Sequence, residues 1–406
     1  MVVVQPAPEA VVQTLWETPL VERLRTYFAA TADAVTREHI ALTEIPAPPF
    51  HEAKRAEFLA ERLRESGLPT VRRDAEGNVI GCLPGTDPAQ PPMVLAAHLD
   101  TVFPPETDVT VRFQGKRLCA PGIADNACGL AGLLALARAF VRHDVQLAGS
   151  VWFVGTVGEE GPGNLRGVRA LVNESPHMCC FIALDGPGIE RITCRAIGAR
   201  RFRVTFGGPG GHSWANFGTV NPIHALGEFV HLVRRFSLRR GMTCTVASVD
   251  GGGVINAIPT EAHADLDCRA YTDADLEQLE TEVRLAAVQA QQAEMEAATQ
   301  CSRLTATVQR LGDRPAGETP RTTMLVRCAV AATRLCGRRP VLDSGSTDAN
   351  VPMARGIPAI AIGAGGAYGG CHTLEEWYEP VGRPQALTRA ALLLLALDQA
   401  ANQPAE

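Results

Sequence analysis

The 406-residue sequence lacks several patterns that would assign a function directly. It contains no Gly-x-Ser-x-Gly motif, which argues against a serine hydrolase with a nucleophile elbow. It contains no G-x-x-x-x-G-K-[ST] loop for nucleotide phosphates. None of its twelve cysteines forms a C-x-x-C pair, so we expect reduced, buried thiols rather than a structural zinc finger.

Long apolar runs and an excess of positive charge are also missing. The longest apolar run, 390–397, is too short to span a bilayer, and residues 1–10 show no secretory-signal pattern. The formal net charge of −6 disfavours a general nucleic-acid or membrane binder. Hydrophobic residues make up 46% and charged residues 20% of the chain, which is ordinary globular usage. We therefore expect a folded cytoplasmic protein of two or three domains, or of one domain with a large insertion.

Strands and helices alternate in the first part of the chain. Continuous apolar runs at 93–99, 150–157 and 180–184 are typical of strands buried on both faces. Helical spacing is present at 51–66 and 129–141. This alternation predicts an α/β catalytic domain with a mostly parallel sheet flanked by helices.

The pattern changes near residue 199. Residues 199–206 alternate polar and apolar side chains, as a strand with one wet face does, and Asp273–Ala297 is a long amphipathic helix. From about residue 319 the α/β character returns. We therefore predict an inserted α+β lid domain. The expected limits are 1–198 for the first part of the catalytic domain, 199–312 for the insert and 313–406 for the second part.

Five short segments with metal-ligating side chains lie at or just past predicted strand ends, where open α/β sheets build their sites. They are His98-Leu99-Asp100, Ala124-Asp125-Asn126, Gly158-Glu159-Glu160-Gly161, Leu184-Asp185-Gly186 and Cys371-His372-Thr373. Each has an ordinary alternative, such as a helix cap for Asp125 or a turn for Asp185. Together they fit two cations bridged by one carboxylate, as in two-metal hydrolases.

The order of these segments resembles the M20 family of metallopeptidases. The family includes tripeptidase T-like aminopeptidases, glutamate carboxypeptidases, aminoacylases, and acetylornithine and succinyl-diaminopimelate deacylases. The resemblance extends from about His39 to the end of the chain. It implies two zinc ions, although manganese or cobalt can occupy sites of this kind. The implied ligands are His98 and Asp185 for one ion, Glu160 and His372 for the other, and Asp125 as the bridge.

The resemblance also implies roles for residues around the metals. Asp100 would orient His98, and Glu159 would take a proton from the bridging water. The peptide bond between Asp125 and Asn126 would be cis. Four further segments correspond to substrate contacts: His212 after Gly210-Gly211, Asn256 in Asn-Ala-Ile-Pro, Arg269, and the loop with Gly345 and Ser346.

His212 would reach the substrate carbonyl across a homodimer formed through the lid, and Arg269 would bind a substrate carboxylate. Read alone, His212 is an ordinary turn residue and Arg269 an ordinary surface ion-pair partner.

Asp185 helps to choose a branch of the family. Carboxypeptidase and deacylase members tend to have Glu at this position, whereas Asp resembles the tripeptidase T-like aminopeptidases. The segment 213–216 departs from close tripeptidase members. We therefore predict a di-zinc aminopeptidase acting on di- or tripeptides. The alternatives are an N-acyl-amino-acid deacylase or carboxypeptidase of the same family, and a non-catalytic protein that binds metal or amino-acid conjugates.

Overall fold

The computed structural model describes residues 7–401. Within these residues the chain forms eleven α-helices. They are α1 (Pro8–Trp16), α2 (Pro19–Ala30), α3 (Ala32–Thr43), α4 (Ala53–Glu65), α5 (Cys128–Arg142), α6 (Arg166–Glu174), α7 (Pro222–Val233), α8 (Asp273–Ala297), α9 (Met324–Leu335), α10 (Asn350–Ala354) and α11 (Arg383–Ala401).

The same residues form nineteen strands. They are β1 (Thr70–Arg73), β2 (Val79–Leu83), β3 (Met93–His98), β4 (Arg112–Gln114), β5 (Arg117–Cys119), β6 (Val151–Thr156), β7 (Cys180–Leu184), β8 (Arg191–Ala196), β9 (Gly198–Gly207), β10 (Gly211–His212), β11 (Thr243–Gly251), β12 (Ala257–Ile258), β13 (Glu261–Ala270), β14 (Thr305–Arg314), β15 (Gly317–Glu318), β16 (Val341–Gly345), β17 (Ala359–Ile362), β18 (Ala367–Gly369) and β19 (Trp377–Glu379).

The chain divides into two compact units. The first unit combines the residues up to Ala196 with those from Glu318 onward, and the second unit is Ile197–Gly317. The predicted insert, residues 199–312, falls within the second unit. The first unit is therefore built from two segments that lie far apart in the chain.

The main sheet of the first unit is mixed, so the prediction of a mostly parallel sheet is wrong at the two sides. The strand order is β1-β2-β6-β3-β7-β17-β8, with β16 beside β8. The four central strands, β6, β3, β7 and β17, are mutually parallel. On either side, β2 is antiparallel to β6, and β8 is antiparallel to β17. The connections β2–β3, over residues 84–92, and β7–β8, over residues 185–190, reverse the chain and are too short for the crossover that parallel strands need.

Helices cover this sheet and close its core. Helix α5 begins directly after the Asp125 segment, and nearly all of its Ala- and Leu-rich surface is buried. The stretch Ile123–Arg142 is long and apolar enough to cross a bilayer, but it is packed inside the protein as a core helix. The apolar run 390–397 lies in α11 and is buried throughout. Hydrophobic side chains all round these helices agree with their burial on all sides.

The second unit contains a four-stranded antiparallel sheet in the order β11-β13-β9-β14. Along β9 the buried residues Phe202, Val204 and Phe206 alternate with partly exposed ones. Helices α7 and α8 contact this sheet, and the core of the unit combines apolar residues of the sheet and both helices. The alternation therefore reflects a sheet with one face toward helices and the other toward solvent.

Candidate metal centre

Four parallel strands bring the predicted ligands to one edge of the main sheet. His98 ends β3, Glu159 and Glu160 follow β6 closely, and Asp185 directly follows β7. His372 lies in the loop between β18 and β19, beyond β17. Because β6, β3, β7 and β17 are parallel neighbours, their carboxyl ends meet at the same edge.

Asp125 lies between two histidines. Its Oδ1 atom is 2.9 Å from Nε2 of His98, and its Oδ2 atom is 3.1 Å from Nε2 of His372. The Nε2 atom of His372 is also 3.0 Å from Oε1 of Glu160. On the other side, Oδ1 of Asp185 is 4.0 Å from Nε2 of His98. The five side chains therefore form two groups, one with His98 and the other with His372, which share Asp125.

The donor atoms of this cluster fit a metal ion. His98, Asp125 and Glu160 each offer one ligand atom, and these atoms all lie within 4.8 Å of one another. One imidazole nitrogen with carboxylate oxygens is a donor set for zinc and similar divalent cations.

The charges of the cluster favour a cation as well. Burial, with the negative charge of Asp125 beside it, raises the pKa of Asp185 to about 7. Hydrogen bonds to Asp125 and Glu160 raise the pKa of His372 to about 10. Burial raises the pKa of Asp125, but its contacts with His372 and His98 outweigh burial and hold the pKa below its usual range. The raised pKa values of Asp185 and His372 reflect the concentrated negative charge of the cluster, which a bound divalent cation would compensate.

Asp100 connects His98 to the paired glutamates. Its carboxylate oxygens accept hydrogen bonds from the backbone N–H groups of Glu159, at 2.9 Å, and Glu160, at 2.7 Å. Nδ1 of His98 is 3.0 Å from the carbonyl oxygen of Asp100 and 3.7 Å from its carboxylate. Donation from Nδ1 to that carbonyl turns Nε2 toward Asp125, where Nε2 would bind a metal ion once the ion replaces the ring proton. The resemblance implied only the contact with His98; the contact with the glutamate backbone depends on the fold.

The backbone around Asp125 is tied to the segment that carries Asp185. The peptide bond between Asp125 and Asn126 is cis, as the resemblance implies. The buried Asn126 side chain donates to the carbonyl of Leu184, and its Oδ1 atom accepts from the N–H groups of Gly129 and Gly186. Sequence reasoning assigned no role to this side chain, because two of its partners, Leu184 and Gly186, are 58 and 60 residues away.

The predicted substrate-binding residues lie in both units. Gly345 and Ser346 follow one another at the end of β16 in the first unit. Asp348, two residues after Ser346, accepts a hydrogen bond from the hydroxyl of Thr156, which pairs with His98 in the sheet. This contact brings the 345–348 loop toward the edge where the metal ligands lie.

His212, Asn256 and Arg269 lie in the second unit. His212 pairs with Ala257 in the β10–β12 ladder, and the N–H of Ser213 donates to the carbonyl of Asn256 at 3.0 Å. Arg269 lies near the far end of β13, where its Nε atom donates to Oδ1 of Asp267 at 2.7 Å. The fold thus brings His212 and Asn256 together and leaves Arg269 apart from them, in an ion pair.

The fold and the donor set are those of a metal-dependent α/β enzyme, and sequence comparison assigns the family. Residues 94–399 match the model of Peptidase family M20/M25/M40. The chain therefore belongs to this family of metal-dependent peptidases and hydrolases.

Two curated relatives have different activities. The chain is 30% identical over 256 residues to the cytosol non-specific dipeptidase of Escherichia coli, covering 55% of this chain and 51% of that protein. It thus matches about half the length of that relative. It is 28% identical over 352 residues to a succinyl-diaminopimelate desuccinylase of Methylorubrum extorquens, covering 80% of this chain and 89% of the relative.

Solved structures share the fold. Aminopeptidase PepT from Bacillus cereus superposes with a TM-score of 0.72 at 21% identity, covering 91% of this chain and 99% of that one. The Bacillus subtilis YXEP protein, described as a dinuclear metal binding peptidase, superposes with a TM-score of 0.66 at 16% identity, covering 91% and 98%. At these identities the likeness concerns the fold.

Proposed function

We propose that the protein is a two-metal aminopeptidase that hydrolyses the amide bond of di- and tripeptides. The observation that carries the proposal is the position of Asp125, whose two carboxylate oxygens face different histidines. A carboxylate in this position can be shared by two cations. The names of the Escherichia coli dipeptidase and the Bacillus cereus aminopeptidase agree with a peptide substrate.

Each residue of the cluster has a role in the proposal. His98 and Asp185 hold one ion, Glu160 and His372 hold the other, and Asp125 binds both. We propose zinc as the native metal, because nitrogen and oxygen donors suit it, although manganese and cobalt also accept such ligands. When bound, such ions polarise the scissile carbonyl and lower the pKa of water.

Glu159 is the proposed general base. Its side chain would accept a proton from the attacking water and donate it to the leaving amine. Asp100 holds the backbone N–H of Glu159 at 2.9 Å, which fixes the position of the residue before substrate binds.

His212 is the proposed donor to the substrate carbonyl. Its Nδ1 atom accepts from the N–H groups of Trp214, at 3.1 Å, and Ala215, at 3.3 Å. A neutral ring with Nδ1 as acceptor carries its proton on Nε2. The residue is exposed, so this N–H is available to a developing oxyanion.

The distance between His212 and Arg269 supports a homodimer. Strand β12, which pairs with His212, ends just before β13 begins at Glu261. Arg269 lies eight residues further along β13, so it is about 26 Å from Glu261. An extended tripeptide spans about 10 Å. His212 and Arg269 of one chain therefore cannot contact the same small substrate. We propose that His212 serves a second copy through the second unit, and that Asn256, Arg269, Gly345 and Ser346 are further substrate-binding residues.

A deacylase is the second candidate, because the Methylorubrum relative, which covers most of this chain, is named a desuccinylase. Either enzyme would act in the cytoplasm on small substrates, without nucleic acid or membrane as partner. A non-catalytic binding protein would not need Glu159, so its presence beside a complete ligand set disfavours that alternative.

A matched pair of substrates tests these alternatives. We expect release of leucine from Leu-Gly-Gly, and N-acetyl-Leu-Gly-Gly should react about 100-fold more slowly because its amino group is blocked. Chelation should abolish the activity and zinc, manganese or cobalt should restore it; amino-acid analysis measures the product. If N-acetyl or N-succinyl amino acids are hydrolysed faster than Leu-Gly-Gly, the protein is a deacylase. If N-blocked dipeptides release their C-terminal residue, it is a carboxypeptidase. If the metal-loaded protein turns over none of these substrates, the non-catalytic binding protein is the remaining alternative.

A further inference from the structure

Glu376 is a fully buried carboxylate four residues after His372. Its Oε1 atom accepts hydrogen bonds from the backbone N–H groups of Ala124, at 2.7 Å, and Asp125, at 3.0 Å. Its Oε2 atom accepts from the N–H of Gly122 at 3.0 Å. One side chain therefore holds three backbone amides of the segment that carries Asp125, and one of them belongs to Asp125 itself.

The carbonyl side of the same segment is held by His39. Nε2 of His39 is 2.6 Å from the carbonyl oxygen of Ile123, and Nδ1 accepts from Nη2 of Arg383 at 2.7 Å. Arg383 also donates to the hydroxyls of Tyr378 and Thr36, both at 3.0 Å. His39, Tyr378 and Arg383 are almost completely buried. The segment 122–125 is thus fixed through its N–H groups by Glu376 and through a carbonyl by His39.

We propose that Glu376 is a positioning residue for the metal centre, which fixes the backbone of Asp125 so that the two carboxylate oxygens face the His98 side and the His372 side. The inference rests on the proposed metal-binding role of Asp125. Charge-assisted hydrogen bonds from three amides restrict the segment more than neutral contacts would. Because Glu376 also lies in the chain segment that leads from His372 into β19, it connects the backbone of two ligands that are 247 residues apart in sequence.

The test is metal affinity in Glu376→Gln. Glutamine has the same size, but its amide nitrogen cannot accept a hydrogen bond, so one or more of the three amides loses its partner. Competition with a metal-sensitive chelator should show that zinc affinity falls about 10- to 100-fold, the usual effect of losing a residue that orients metal ligands. The visible spectrum of the cobalt-loaded protein should change as well, because the ligand geometry changes.

Asp398→Asn is the matched control. The Asp398 carboxylate also accepts from two backbone amides, those of Ala148 and Gly149. These residues precede β6, at the edge of the sheet opposite the metal ligands. This variant should unfold at lower temperature and keep wild-type zinc affinity and cobalt spectrum.

Glu376→Asp keeps the charge and provides a second variant if the glutamine variant does not fold. We expect an affinity between those of wild type and Glu376→Gln. Wild-type affinity and spectrum in whichever variants fold would overturn the positioning role, even if they were less stable. Absence of metal binding by the wild-type protein would instead contradict the proposed function.

Discussion

Replacing Glu159 by glutamine is expected to lower kcat by about 100- to 10,000-fold, the usual contribution of a general base. Glutamine preserves the size of the side chain but cannot take up a proton. The backbone contact between Glu159 and Asp100 does not involve the side chain and should persist. We therefore expect wild-type metal content together with the lost turnover, measured by elemental analysis and by leucine release.

Glu160→Gln is the matched control, because the two glutamates are adjacent and Oε1 of Glu160 lies 3.0 Å from Nε2 of His372. It should lose metal as well as activity, whereas Glu375→Gln, at an exposed position nearby, should lose neither. A Glu159→Gln enzyme with near-normal kcat would assign the proton transfer to another group.

Removing Asp125 should have the largest effect on metal content. Asp125 is the one member of the cluster that contacts both histidines, so Asp125→Ala should leave neither ion tightly bound and no measurable hydrolysis. His372→Ala removes a ligand from one group only and should retain close to one ion per chain. Elemental analysis after gel filtration gives these stoichiometries directly.

Asp108→Ala is the control for loss of a carboxylate in the first unit, since Asp108 forms an exposed ion pair with Arg112. It should bind as much metal as the wild-type protein. If Asp125→Ala still binds two ions per chain, another residue is shared by the two ions. If the wild-type protein binds one ion per chain, the site holds one metal and the two-metal proposal is wrong.

Local patterns predicted the secondary structure well where they were strong. The ends of β7 and α8 agree with the sequence prediction, because a continuous apolar run and a period of 3.6 residues are properties of short segments. Helical apolar spacing over residues 19–42 predicts one helix, whereas the structure has two helices that meet at Thr31. The short strands β4, β5, β18 and β19, which form a separate sheet, were not predicted, because two or three residues carry no detectable period.

The candidate site, too, has a part that the sequence predicted and a part that it did not. The order of His98, Asp125, the Glu159-Glu160 pair, Asp185 and His372 could be read from the sequence, and the family match confirms the family that this order indicates. Their individual roles remain proposals. The ion pair of Arg269 with Asp267 agrees with the ordinary surface ion pair that this residue suggests when it is read alone. The contact of Asp100 with the glutamate backbone was not foreseen.

The sequence by itself determined the family of this protein and the identity of its candidate ligands, because side-chain type and order are sequence properties. Only the tertiary structure decided how the ligands are held. Glu376 meets Asp125 across 251 residues, and Arg383 meets His39 across 344. Contacts of this kind leave no local period or motif, because each depends on hydrogen-bonding groups that become neighbours only when distant segments pack together.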